Sequence, residues 1–173
     1  MIGFRIFLAC TVLVPGFLQT ADLADAQSLS EDSGLPDGVE FLTPQEIEAI
    51  YYDKTQTWSW GSYGYWGPDQ SFRSVNEPDT SIGVGEWYVT DIHQMCFEVT
   101  WHWLENFGTA NKTTKTCYQF AHDTEGRIWR RKVDETRAES WLPFEDFGFR
   151  KGDRTAAIYR RLARELNLLP DSE

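Results

Sequence analysis

Residues 95–103 constrain the fold most. Phe97, Val99, Trp101 and Trp103 fall on one side of an extended chain, and Cys96, Glu98, Thr100 and His102 on the other. Alternation with one strongly aromatic side belongs to a half-buried β-strand. The segment 114–121 repeats it, with Tyr118 and Phe120 on one side and Cys117 and Gln119 on the other. Each cysteine therefore lies opposite its strand's large aromatics. If the two strands pair, both sulfurs share a face.

The surrounding chain has the same β grammar. Runs near 56–60, 62–66, 71–75, 84–90, 95–103, 114–121, 127–133 and 140–144 are separated by turn residues. Among these turns are Gly67-Pro68-Asp69 and Asp123-Thr124-Glu125-Gly126. Eight short strands with tight connections predict an all-β fold: a small antiparallel meander barrel, lipocalin-like in outline, or a sandwich. A helix precedes it. Thr43 is an N-cap, Pro44 stands at the first helical position, and Glu46 completes a capping box, with Ile47, Ile50 and Tyr51 on one face. A second helix follows. Asp153 can cap a run through Leu166 whose stripe, Ile158, Leu162 and Leu166, docks on the barrel.

The first 26 residues have the form of a secretory signal peptide. Arg5 is followed by an apolar run, Ile6 to Leu18, broken at Pro15-Gly16, and Ala24-Asp25-Ala26 offers the cleavage pattern. The run is too short for a membrane span, so the mature chain is expected to have no transmembrane segment. Cleavage near Ala26 predicts a periplasmic or secreted protein. A flexible linker over 27–39 then leads into a single domain, 40–169. Cleavage also removes Cys10 and leaves an even pair, Cys96 and Cys117. In an oxidising compartment these are most simply a disulfide, contributing roughly 3 kcal/mol; the alternative is two buried thiols.

Charge narrows the partners. The net charge of −11 argues against nucleic acid, whose phosphates would repel such a surface. Residues 27–100 carry a net −11 and residues 101–173 a net +1, which one interleaved fold would largely even out. Arg127, Arg130, Arg131 and Lys132 fall on both faces of one strand, as in a charge-guarded edge or a site for an anion.

The aromatic load is the unusual part of the composition: 8 Trp, 7 Tyr and 11 Phe. Core packing accounts for many of these residues, since Trp58 and Trp60 alternate with Thr57 and Ser59 as core residues would. A domain this small rarely needs all its tryptophans inside. Trp58, Trp60, Tyr65, Trp66, Trp87, Trp101 and Trp103 are therefore candidates to line a ligand cavity. His93, His102 and His122 match no metal spacing. The chain has no G-x-S-x-G, no H-E-x-x-H and no phosphate loop. No catalytic residue, metal or cofactor is nominated. Asn111-Lys112-Thr113 is a glycosylation sequon, relevant only in a eukaryotic secretory pathway.

The series Tyr65-Trp66-Gly67-Pro68-Asp69, Gly85-Glu86-Trp87-Tyr88-Val89-Thr90-Asp91, Cys96-Phe97 with Trp101, Cys117-Tyr118 and Ile128-Trp129 resembles a known family. It is similar to the exported proteobacterial proteins grouped as domain of unknown function 995, over roughly Thr43 to Phe144. The resemblance implies a periplasmic bacterial protein, and weighs against use of the sequon. It brings no activity, cofactor or catalytic residue. The expected function is a non-enzymatic exported module that holds a small apolar or saccharide ligand. The alternative is a solid barrel whose surface binds an envelope protein partner, as in a stress response; a hydrolase ranks last.

Overall fold

The computed structural model describes residues 35, 38–133, 139–145 and 148–170. The leader and nearly all of the 27–39 linker lie outside the described residues. The described residues form one compact unit. Ten strands, β1 (Glu40–Phe41), β2 (Lys54–Ser59), β3 (Ser62–Trp66), β4 (Ser71–Asn76), β5 (Ser81–Val89), β6 (Gln94–Glu105), β7 (Gly108–His122), β8 (Ile128–Val133), β9 (Leu142–Pro143) and β10 (Phe149–Lys151), make one antiparallel sheet with two helices, α1 (Pro44–Tyr51) and α2 (Ala156–Glu165). All eight expected strands are present. β1 and β10 are additional, too short to leave a period in the sequence.

The sheet runs β10-β2-β3-β4-β5-β6-β7-β8-β9, with β1 on β7 where β6 has ended. The all-β meander is as expected, but the barrel is not closed: β9 and β10, its two end strands, do not pair. The helix α1 flanks the sheet at this opening, packing Ile47 and Tyr51 against its inner face while Gln45, Glu46, Glu48 and Ala49 stay exposed. Its Tyr51 ring meets Trp66 (4.8 Å between centroids), Phe120 (6.0 Å) and Phe149 (5.5 Å), on β3, β7 and β10.

The period of two assigns the faces. Trp66, Phe72, Trp87, Met95, Phe97, Val99 and Phe120 point inward and pack with Leu42, Ile47 and Tyr51 as the main core. Val75 and Ile82, of opposite parity, point outward, where Leu162 and Ala163 of α2 and its C-cap residue Leu166 cover them. That docking stripe is the expected one. Its cap is not: Thr155 is the N-cap residue, and Asp153 Oδ1 instead accepts from the Thr155 amide and hydroxyl, both at 2.7 Å, turning the chain into the helix. The capping box of α1 is present as expected. The Glu46 amide donates to Thr43 Oγ1 (3.3 Å), and the Thr43 amide donates to Glu46 Oε2 (2.8 Å).

Cys96 and Cys117 are directly paired residues of β6 and β7 on the outer face, bonded as a disulfide with 4.0 Å between their Cα atoms. The alternation that placed both sulfurs on one face holds.

Candidate functional site

The seven aromatic candidates do not converge on one cavity. Trp66 and Trp87 are buried in the main core against Phe72, Phe97 and Tyr51. Trp87 Nε1 donates to the Gly67 carbonyl at 2.9 Å, so the turn after β3 satisfies it. Tyr65 points outward; its hydroxyl donates to Asp53 Oδ1 at 3.0 Å, and burial together with that carboxylate pushes its pKa up to about 12.

Trp58 and Trp101 lie over glycines on the inner face. A Cβ at Gly64 would stand 2.7 Å from the Trp58 ring, and one at Gly83 2.9 Å from the Trp101 ring. Gly64, Ser74 and Gly83 are consecutive partners across β3, β4 and β5, and each indole packs on the bare backbone of its glycine. Trp103 donates to Glu105 near the same end. Trp60, in the β2–β3 turn, is 86% exposed.

An open concavity lies elsewhere, at the seam where the sheet fails to close. It is a groove of about 480 Å³ between α1, the β8 side and the β2–β10 side. Ile50, Ile128, Phe144 and Phe149 supply its apolar lining, and Glu46, Lys54 and Glu145 stand around it. Its volume falls in the range of small-molecule sites, about 300–1,000 Å³. The lining is drawn from several parts of the fold. Ile50 is on the last turn of α1, Lys54 starts β2 and donates to the Ala49 carbonyl (2.7 Å), Ile128 starts β8, and Phe144 and Phe149 flank the link between the sheet's two ends.

No local sequence signal marks this groove. Its residues are ordinary apolar positions until α1 is placed against the sheet. A partial signal lay in Phe144 and Phe149, two aromatics bracketing a short link.

The basic strand is largely engaged in structure. Arg127 Nε donates to Asp123 Oδ2 (2.7 Å), and Arg131 donates to Gln119 Oε1 (2.7 Å) while its guanidinium lies over the Trp141 ring (4.7 Å). Arg130 faces inward, 4.4 Å from the Tyr118 ring centroid and 5.3 Å from that of Phe144. The histidines are dispersed. His93 Nδ1 bonds the Leu42 carbonyl, and His102 lies on the outer face of β6. Among the described residues no group of three or more His, Cys, Asp or Glu is placed to hold a metal ion. No helix among them is long and apolar enough to cross a membrane.

The family model described as Protein of unknown function (DUF995) matches residues 17–163. The chain belongs to this family. The DUF995 match runs past Phe144 into α2, wider than the Thr43–Phe144 stretch that carries the resemblance, so most of that helix is part of the family's domain. Comparison with curated proteins and with solved structures gave no match.

Proposed function

We propose that this DUF995 protein is an exported, non-enzymatic binding module that takes a small apolar ligand into the seam groove. The observation that carries the reading is the groove's lining: four large apolar side chains, from α1, β8, β10 and the link after β9, converge on an open space beside the main core. An unfilled apolar groove gains by taking up an apolar molecule, about 25 cal/mol for each Å² removed from water. Export is supported by the Cys96–Cys117 bond and by the leader pattern of residues 1–26. The saccharide form of the expectation has less support, because the tryptophans that would stack on sugar rings are divided between the core and one end of the sheet.

The test is a titration with N-phenyl-1-naphthylamine, a neutral probe that brightens in apolar surroundings. The wild type should give saturable emission. Ala49→Phe, at an exposed position on the groove, should abolish it while leaving the circular dichroism unchanged. Equal binding by the variant would contradict the reading.

A second reading, a surface for a protein partner, draws on one specific observation. Trp60 and Phe107 stand fully or almost fully exposed in the β2–β3 and β6–β7 turns, which lie at the same end of the meander.

A further inference from the structure

A second concavity lies on the outer face, between α2 and the β10–β2–β3 side of the sheet. It holds about 260 Å³ and is lined by Thr55, Thr57, Tyr63, Arg150, Arg154 and Ile158, none of which lines the seam groove. Arg150 pairs with Thr55 across β10 and β2, and Thr57 pairs with Tyr63 across β2 and β3, so these four share one face. Thr55 ties both arginines to the place. Its buried hydroxyl donates to the Gly152 carbonyl (2.7 Å) and accepts from the Arg154 amide (3.0 Å), while Arg150 is its partner in the sheet. Both arginines thus rise from backbone fixed to one residue of β2.

The charge here runs against the rest of the molecule. The chain carries a net −11, yet this lining has two cations and no carboxylate. The neighbouring carboxylates are committed elsewhere. Asp153, next to Arg154, pairs with Arg73 (3.4 Å) and accepts from the Thr155 amide and hydroxyl. Glu77 and Glu165 take Arg161, and Asp53 accepts from the Tyr65 hydroxyl. Among the described residues neither Arg150 nor Arg154 has a carboxylate in ion-pair range, and Arg150 donates one N–H to the Phe149 carbonyl (2.9 Å). A guanidinium has five such donors. Thr57 and Tyr63 bring two hydroxyls to the same lining.

We infer that this concavity binds a phosphomonoester, with Arg150 and Arg154 clasping the phosphoryl oxygens and Thr57 and Tyr63 donating to them. Such a group carries a charge of about −2 at neutral pH, which two guanidinia balance; a carboxylate brings half of that. Guanidinium forks also match pairs of phosphoryl oxygens. The volume lies below the range of drug-sized sites, about 300–1,000 Å³, and suits a phosphoryl group with a small organic part against Ile158. The phosphomonoester is either a free small molecule or the head of phosphatidic acid. The inference is independent of the groove reading.

The experiment is isothermal titration of the whole protein, at fixed ionic strength and neutral pH, with glycerol 1-phosphate and with acetate. The expected result is saturable binding of the ester, about tenfold tighter than acetate, as additional charge-assisted hydrogen bonds supply. Arg150→Gln and Arg154→Gln, both at exposed positions, should each weaken the ester about tenfold. Arg160→Gln, on α2 outside the lining, should leave it unchanged. Sedimentation with phosphatidylcholine vesicles containing phosphatidic acid separates the two sources. Co-sedimentation that Arg150→Gln abolishes assigns the lipid head, and ester binding without co-sedimentation assigns the free molecule. Absence of both would overturn the inference. Equal responses to ester and acetate would overturn it too, as would an equal loss in Arg160→Gln, which would mark a diffuse positive surface. Should a glutamine variant not fold, the wild-type comparison of ester with acetate still decides. N-phenyl-1-naphthylamine binding should be the same in all three variants, so failure here leaves the groove reading standing.

Discussion

The rings of Phe144 and Phe149 lie 6.3 Å apart at 62° to one another. Phe144 follows β9, the strand at one end of the sheet, and Phe149 opens β10, the strand at the other. The chain passes between them in five residue steps, at most about 18 Å when fully extended. The two ends of a ten-stranded sheet are therefore brought together without pairing. The backbone gap is bridged by side chains on Tyr51 and Phe120, and this is what creates the groove.

Cys96 and Cys117 join two strands that are already paired in register, 21 residues apart in the chain. Cys96→Ser and Cys117→Ser should each destabilise the protein by a similar amount, about 3 kcal/mol. Reductant should bring the wild type to the same level. Denaturant unfolding with and without reductant measures this, and unequal losses would contradict it.

Thr43 fixes the start of the helix at the opening of the sheet. Its hydroxyl caps Glu46, and Glu46 answers its amide. Thr43→Ala should cost about 1 kcal/mol in urea unfolding. It should also weaken probe binding, because Ala49 and Ile50 ride on the same short helix. An unchanged midpoint would mean that packing of Ile47 and Tyr51 alone sets α1.

The buried Asp123 carboxylate accepts from Arg127 Nε, Trp129 Nε1 and the backbone amides of Glu125 and Arg127. Burial pushes its pKa up, but these hydrogen bonds outweigh that and hold it well below the usual carboxylate range. A depressed folded pKa stabilises the fold above the unfolded value, near 3.9, and that contribution is lost as pH falls through the folded value. Asp123→Asn should therefore be less stable than wild type by a constant margin above about pH 5, with the margin shrinking below about pH 4. A margin independent of pH would show that the turn depends on shape and not on charge.

Much of this fold was legible where one physical signal dominated. Phe97 to Trp103 named their faces through strict alternation, Thr43 to Glu46 named a helix start through capping chemistry, and Ile158, Leu162 and Leu166 named the stripe that docks α2. Signals that depend on the assembled molecule were not legible. β1 and β10 are two and three residues long, and nothing in Pro44 to Tyr51 says which face of the sheet that helix packs on. The tryptophans drew attention as ligand contacts because they are large. The structure divides them between a core that needs them, at Trp66 and Trp87, and an exposed end at Trp60. The groove is formed instead by Ile50, Ile128, Phe144 and Phe149, which carry no motif.

The most direct measurement is methyl NMR on protein labelled at the isoleucine δ1 carbons during titration with N-phenyl-1-naphthylamine. Ile50 and Ile128 line the groove, Ile92 is exposed elsewhere, and Ile158 is on α2, packed on the outer face. An apolar ligand in the seam predicts saturable ring-current shifts at Ile50 and Ile128, with Ile92 and Ile158 unmoved. Shifts at Ile92 or Ile158 with Ile50 and Ile128 silent would contradict the groove as the binding site.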